Sequence, residues 1–125
     1  MSKEKGYRMK LSRNELAAFD SWLGELQHTE LKIQRLIILL SRTKNAKERE
    51  HLEQRILSYE NFTMTCDRVR DLLDDNLRQI FDLKYGRGSN NTWEEIADIV
   101  FVSHRHIYRK RQTILELFAE EIGRL

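Results

Sequence analysis

Ser103 to Gln112 (SHRHIYRKRQ) holds Arg105, Arg109, Lys110 and Arg111 and no acidic residue. Such a run suits a polyanion, because each cation that meets a phosphate releases condensed counterions. Arginine can also donate two parallel hydrogen bonds to guanine. On a helix, His104, Arg105, Tyr108 and Arg109 fall on one exposed face, and all four can donate to base edges or phosphates. They are the candidate base contacts, whereas His106 lies off that face. Lys84, Arg87, Lys110 and Arg111 are candidate phosphate contacts, which position a protein without carrying sequence information. Taken alone, the basic run is also compatible with an ordinary solvated helix face.

The elements around the run give it a frame. Lys84 to Asn91 (KYGRGSNN) is the only Gly/Asn-rich stretch and reads as a loop. Thr92 caps a short helix with apolar Trp93, Ile96, Ala97 and Val100, and Glu94 and Glu95 in its first turn complement the helix dipole. Ser103 caps a further helix with Ile107, Ile114, Leu115, Phe118 and Ile122. Helix, tight turn and helix, with a small Ala97 at the crossing, is the layout of a helix-turn-helix. The second helix of that motif enters the major groove and the first crosses the DNA backbone. Thr92, Trp93 and Ser103 therefore join the candidate backbone contacts, and Trp93 reads equally as a core residue that orients the two helices.

The rest of the chain is read as helical. It has 125 residues, no proline and five glycines, which favours long helices and few turns. Ser12 and Glu15 form a capping-box signature. Leu16, Phe19, Leu23, Leu26, Ile33, Ile37 and Leu40 then step by three or four, a heptad-like stripe with polar Glu30 inside it. Gly24 and the His28-Thr29 step are expected breaks, and Ser41 to Lys47 an expected connection. A second stripe runs through Leu52, Ile56, Tyr59, Phe62, Cys66, Val69, Leu73, Leu77 and Ile80, with a break and new cap at Asp74-Asp75-Asn76. The expected fold class is all-α: an N-terminal helical hairpin or coiled coil, then a helix-turn-helix. Expected divisions are a flexible N-terminus at 1–10, an oligomerisation segment at 11–62 and a DNA-binding domain at 63–125.

Other chemistry finds little support. There is no P-loop, GxSxG, His-Glu-x-x-His or EF-hand spacing, so no enzyme activity and no cofactor are expected. His104, His106 and Cys66 lack the spacing of a zinc site, so no metal is expected either. Cys66 sits on an apolar stripe as a small hydrophobe. The longest apolar run, Leu36 to Leu40, is far short of a bilayer span, and Met1 to Lys10 lacks an apolar signal region. A single cysteine fits a reducing compartment, so the expected setting is cytoplasmic, with no membrane partner.

Val69 to Tyr85 (VRDLLDDNLRQIFDLKY) followed by Thr92 to Ala97 (TWEEIA) resembles region four of bacterial sigma factors. Within that superfamily, Ser103 to Arg109 (SHRHIYR) is similar to the recognition segment of small phage regulators of the ArpU and RinA type. The resemblance covers about residues 66–120. It implies a sigma-region-four-like helix-turn-helix and a sequence-specific transcriptional regulator in a phage or prophage, an activator of late genes. The implied partners are double-stranded DNA, bacterial RNA polymerase and further copies of the chain, in the bacterial host cytoplasm. The alternative is a phage small terminase subunit, which also joins a helix-turn-helix to a helical oligomerisation segment. Three departures stand out. Phe101 occupies a turn position where relatives often carry glycine, so the turn has to close without glycine's easy positive φ. The loop at Gly86 to Asn91 is longer than in typical sigma modules. Lys110 replaces an apolar residue, so its stem is expected to pack while its ammonium reaches solvent or phosphate.

Overall fold

In a computed structural model of the chain, residues 10–123 are described, and among them every regular element is a helix. The order is α1 (Arg13–Gly24), α2 (Leu26–Arg42), α3 (Ala46–Leu72), α4 (Asp75–Tyr85), α5 (Trp93–Ile99) and α6 (His104–Gly123). No described helix is long and apolar enough to cross a membrane. The stretch expected to be flexible, 1–10, lies outside the described residues except for Lys10.

Local chemistry starts these helices. Ser12 and Glu15 close a reciprocal capping box on α1, and Thr92 and Glu95 do the same on α5. Asn45 accepts from the Glu48 amide to start α3, and Asp74 accepts from the Leu77 amide to start α4. Each cap satisfies an amide that the helix itself cannot, and contributes about 1 kcal/mol. At the other end of α3, the Arg78 guanidinium donates to the carbonyls of Arg70, Asp71 and Leu73. Arg70 in turn grips Asp82 with two bonds of 2.7 and 2.8 Å, fixing α4 against α3.

The core gathers buried residues from every helix except α2, which packs the partly buried Leu26 against it. Leu23, Cys66, Val69, Leu73, Ile80, Phe81, Ile96, Ile107, Ile114 and Phe118 are all buried in one cluster. Phe19, Trp22, Phe62 and Phe118 add an aromatic group in which Phe118 meets the other three edge-on. Position 62–63, the expected division, falls inside α3, and α1 contributes Leu23 to the same core as α5 and α6. Cys66 is fully buried there, and burial first, then the Asp67 charge, pushes its thiol up to about 12.

The second apolar stripe is buried or half-buried throughout, from Leu52 to Ile80. The first is buried or half-buried at Leu16, Phe19, Leu23, Leu26, Ile33 and Leu40. Ile37 alone departs: beyond the break at Gly24 and Glu25, α2 turns Thr29 and Leu36 to the seam and leaves Ile37 half exposed. His28-Thr29 is not a break. Thr29 lies inside α2 and donates its hydroxyl to the Glu25 carbonyl at 2.9 Å.

Candidate nucleic-acid interface

Helices α5 and α6 are joined by a turn of four residues, Val100 to Ser103. The Val102 amide reaches back to the Ala97 carbonyl at 3.0 Å, and the Ser103 hydroxyl accepts from the His106 amide at 3.0 Å to start α6. Ala97 and Ile107 are both fully buried, so the two helices meet over a small residue as the spacing predicts. The turn itself departs from expectation. Phe101 takes a φ of 60°, the left-handed region that suits glycine, and its ring is 94% exposed.

Arg105 and Arg109 stand one helical turn apart on the solvent side of α6. Neither guanidinium has a hydrogen bond or ion pair among the described residues, so each keeps its charge and its five donors. His104 and Tyr108 sit beside them but are engaged by α5. The His104 Nε2 lies 3.6 Å from an Asp98 carboxylate oxygen, and the Tyr108 hydroxyl donates to Glu94. That bond holds the Glu94 carboxyl below its ordinary range and raises the Tyr108 hydroxyl above its own. These two contacts brace the start of α6 against α5 and leave both side chains exposed.

The candidate backbone contacts divide. Arg111 is corrected, and Trp93 takes the core alternative. Trp93 is buried with its indole N–H donating to Asp20 at 2.8 Å, and Arg111 donates through Nε to the same carboxylate at 2.9 Å. Both are directed inward by that carboxylate and not toward a phosphate. Lys84 is held close to home, donating to the Asn91 carbonyl at 3.0 Å with its ammonium over the Trp93 ring. Arg87 is exposed, but it lies 3.6 Å from Glu30 of α2, which draws it away from α6. Lys110 packs its stem and donates to the Asn76 side chain at 2.7 Å, a neutral partner that leaves its charge intact. Thr92 and Ser103 are exposed caps whose hydroxyl oxygens accept, so each O–H is left to donate.

The residue that sequence reasoning missed is Asp20. Its carboxylate accepts from Tyr85 at 2.5 Å as well as from Trp93 and Arg111, joining α1 to α4, α5 and α6. Tyr85 is almost fully buried, and burial first, then the Asp20 charge, pushes its hydroxyl well above the usual tyrosine range. The three donors lie 65, 73 and 91 residues away along the chain, so no local pattern around Asp20 could announce them.

Comparison of the chain with protein-family models, with curated proteins and with solved structures finds no match.

Proposed function

We propose that the protein is a sequence-specific DNA-binding regulator of transcription, with α5 and α6 acting as a helix-turn-helix of the sigma-region-four type. The observation that carries this reading is the pair Arg105 and Arg109. Of the four cations in Ser103 to Gln112, Lys110 and Arg111 have partners within the fold, while these two project unpaired from the first turns of α6. A guanidinium pair at helical spacing, on a helix anchored by Ile107, Ile114 and Phe118, can read guanine edges in a major groove. Lys110, Thr92 and Ser103 then serve as phosphate contacts around the pair. His104 and Tyr108 flank it, releasing Asp98 and Glu94 if a base or phosphate competes for them.

The resemblance to phage regulators of the ArpU and RinA type extends the proposal to late-gene activation in a phage or prophage. Contact with bacterial RNA polymerase in the host cytoplasm belongs to the same reading, as does binding as a homo-oligomer. No enzyme activity is proposed. The alternative of a small terminase subunit draws on the half-exposed apolar residues of α2 and α3, which would suit a ring of subunits.

Selection of bound duplexes from a random-sequence pool tests the reading. Wild type is expected to enrich a defined motif, and Arg105→Ala with Arg109→Ala to lose it while keeping its helical circular dichroism. Failure of the wild type to enrich any motif would remove the proposal. Peaks of bound DNA at a late promoter in induced cells would favour regulation, and peaks at a packaging site the alternative.

A further inference from the structure

Beyond the shared core, α2 and the first half of α3 pack mainly on each other, and only Thr29, Leu36 and Leu52 are fully buried between them. Two stripes point away from that seam. On α2, Leu31, Arg35, Ile38 and Arg42 are exposed at steps of four, three and four. On α3, Glu53, Leu57, Glu60 and Met64 are exposed at the same steps. The apolar members are each about half exposed or more, at 49%, 53%, 50% and 60% for Leu31, Ile38, Leu57 and Met64. None of the four charged residues has an ion pair or hydrogen-bond partner for its side chain among the described residues.

Run antiparallel, the two stripes match position for position. Leu31 falls opposite Met64, Arg35 opposite Glu60, Ile38 opposite Leu57, and Arg42 opposite Glu53. Within one chain the stripes face away from each other and cannot meet, so the match can be used only between copies. We infer that the outward stripe of α2 docks antiparallel on the outward stripe of α3 in a second copy of this chain, apolar on apolar and arginine on glutamate.

Two physical terms act together in such a contact. Each contact joins two half-exposed apolar side chains from one copy to two from the other, roughly 200 Å² of apolar surface per partner, which falls at the low end for a specific interface and makes the paired charges necessary beside it. The alternating charges then favour one register and direction, because the antiparallel match pairs all eight residues whereas a parallel one pairs at most six of them in that way. The inference deepens the oligomeric part of the proposed function and rests on none of its DNA contacts.

Sedimentation or light scattering of the full chain, without DNA, tests it. Wild type is expected to exceed the 15.1 kDa of one chain at micromolar concentration. Arg35→Glu with Arg42→Glu should weaken association at least about tenfold and return the mass toward a single chain. Adding Glu53→Arg and Glu60→Arg should restore the assembly. All four positions are exposed, so helical circular dichroism is expected to persist in every variant. A monomeric wild type, a mass indifferent to the arginine reversals, or a fourfold variant that stays dissociated would each overturn the inference. Because no DNA is present, none of these results depends on whether Arg105 and Arg109 read bases.

Discussion

Phe101 holds a left-handed backbone conformation that costs a non-glycine residue about 1 kcal/mol, and its exposed ring recovers none of this by packing. Phe101→Gly is therefore expected to raise the unfolding free energy in urea by up to about 1 kcal/mol. A loss of stability would contradict a strained and unpacked Phe101. Tyr85 provides a second test at the same scale. Its hydroxyl is raised in the folded protein, so above pH 10 the unfolded chain releases a proton that the folded one retains. Stability is thus expected to be unaffected by this group below the ordinary tyrosine value and to fall as pH rises beyond it. Followed by absorbance at 295 nm, one of the four tyrosines should ionise only together with loss of helical signal. Ionisation of all four while the helices persist would contradict the burial of Tyr85.

Among the elements, α1 is held by its buried Leu23 and its aromatic contacts, and one carboxylate on it ties it to α4, α5 and α6. Asp20→Ala would leave the Arg111 guanidinium, the Trp93 indole and the Tyr85 hydroxyl without their shared acceptor, three donors in a site that is at most 18% exposed. The expected cost is roughly 2–4 kcal/mol in chemical denaturation, with weakened DNA binding because Arg111 lies on α6 itself. A change below about 0.5 kcal/mol would mean that water replaces the carboxylate freely. This is also where sequence reasoning reaches its limit. The caps at Ser12, Asp74, Thr92 and Ser103 were legible because their partners lie three residues away. The apolar faces of α3 and α6 were legible because an uninterrupted helix keeps its phase. The stripe through α1 and α2 was legible except at Ile37, where the break at Gly24 and Glu25 shifts the buried face of α2 toward Thr29 and Leu36. Arg111 was misplaced for a related reason: an exposed cation and one drawn inward by Asp20 have the same local sequence.

For the whole molecule, a net charge of +2 conceals how the cations are used. Arg70, Arg78 and Arg111 hold helices together, and Lys84 closes a loop. Arg35 and Arg42 are assigned to a second copy, and Arg105 and Arg109, with Lys110 beside them, to DNA. So few cations on the start of α6 predict weak non-specific binding and a dependence on several copies acting together. The number of copies then separates the two biological settings, a dimer suiting the regulator and a ring of many subunits the packaging alternative.

The most direct test is fluorescence anisotropy of a duplex enriched by the wild-type protein, read against Arg105→Ala with Arg109→Ala. The wild type is expected to bind that duplex in preference to a scrambled one, and less tightly as salt is raised. The double variant should bind at least about 30-fold more weakly and lose the preference, since each arginine-base contact contributes about 1–3 kcal/mol of discrimination. Equal affinity of the two proteins for the enriched duplex would contradict the assignment of α6 as the element that reads DNA.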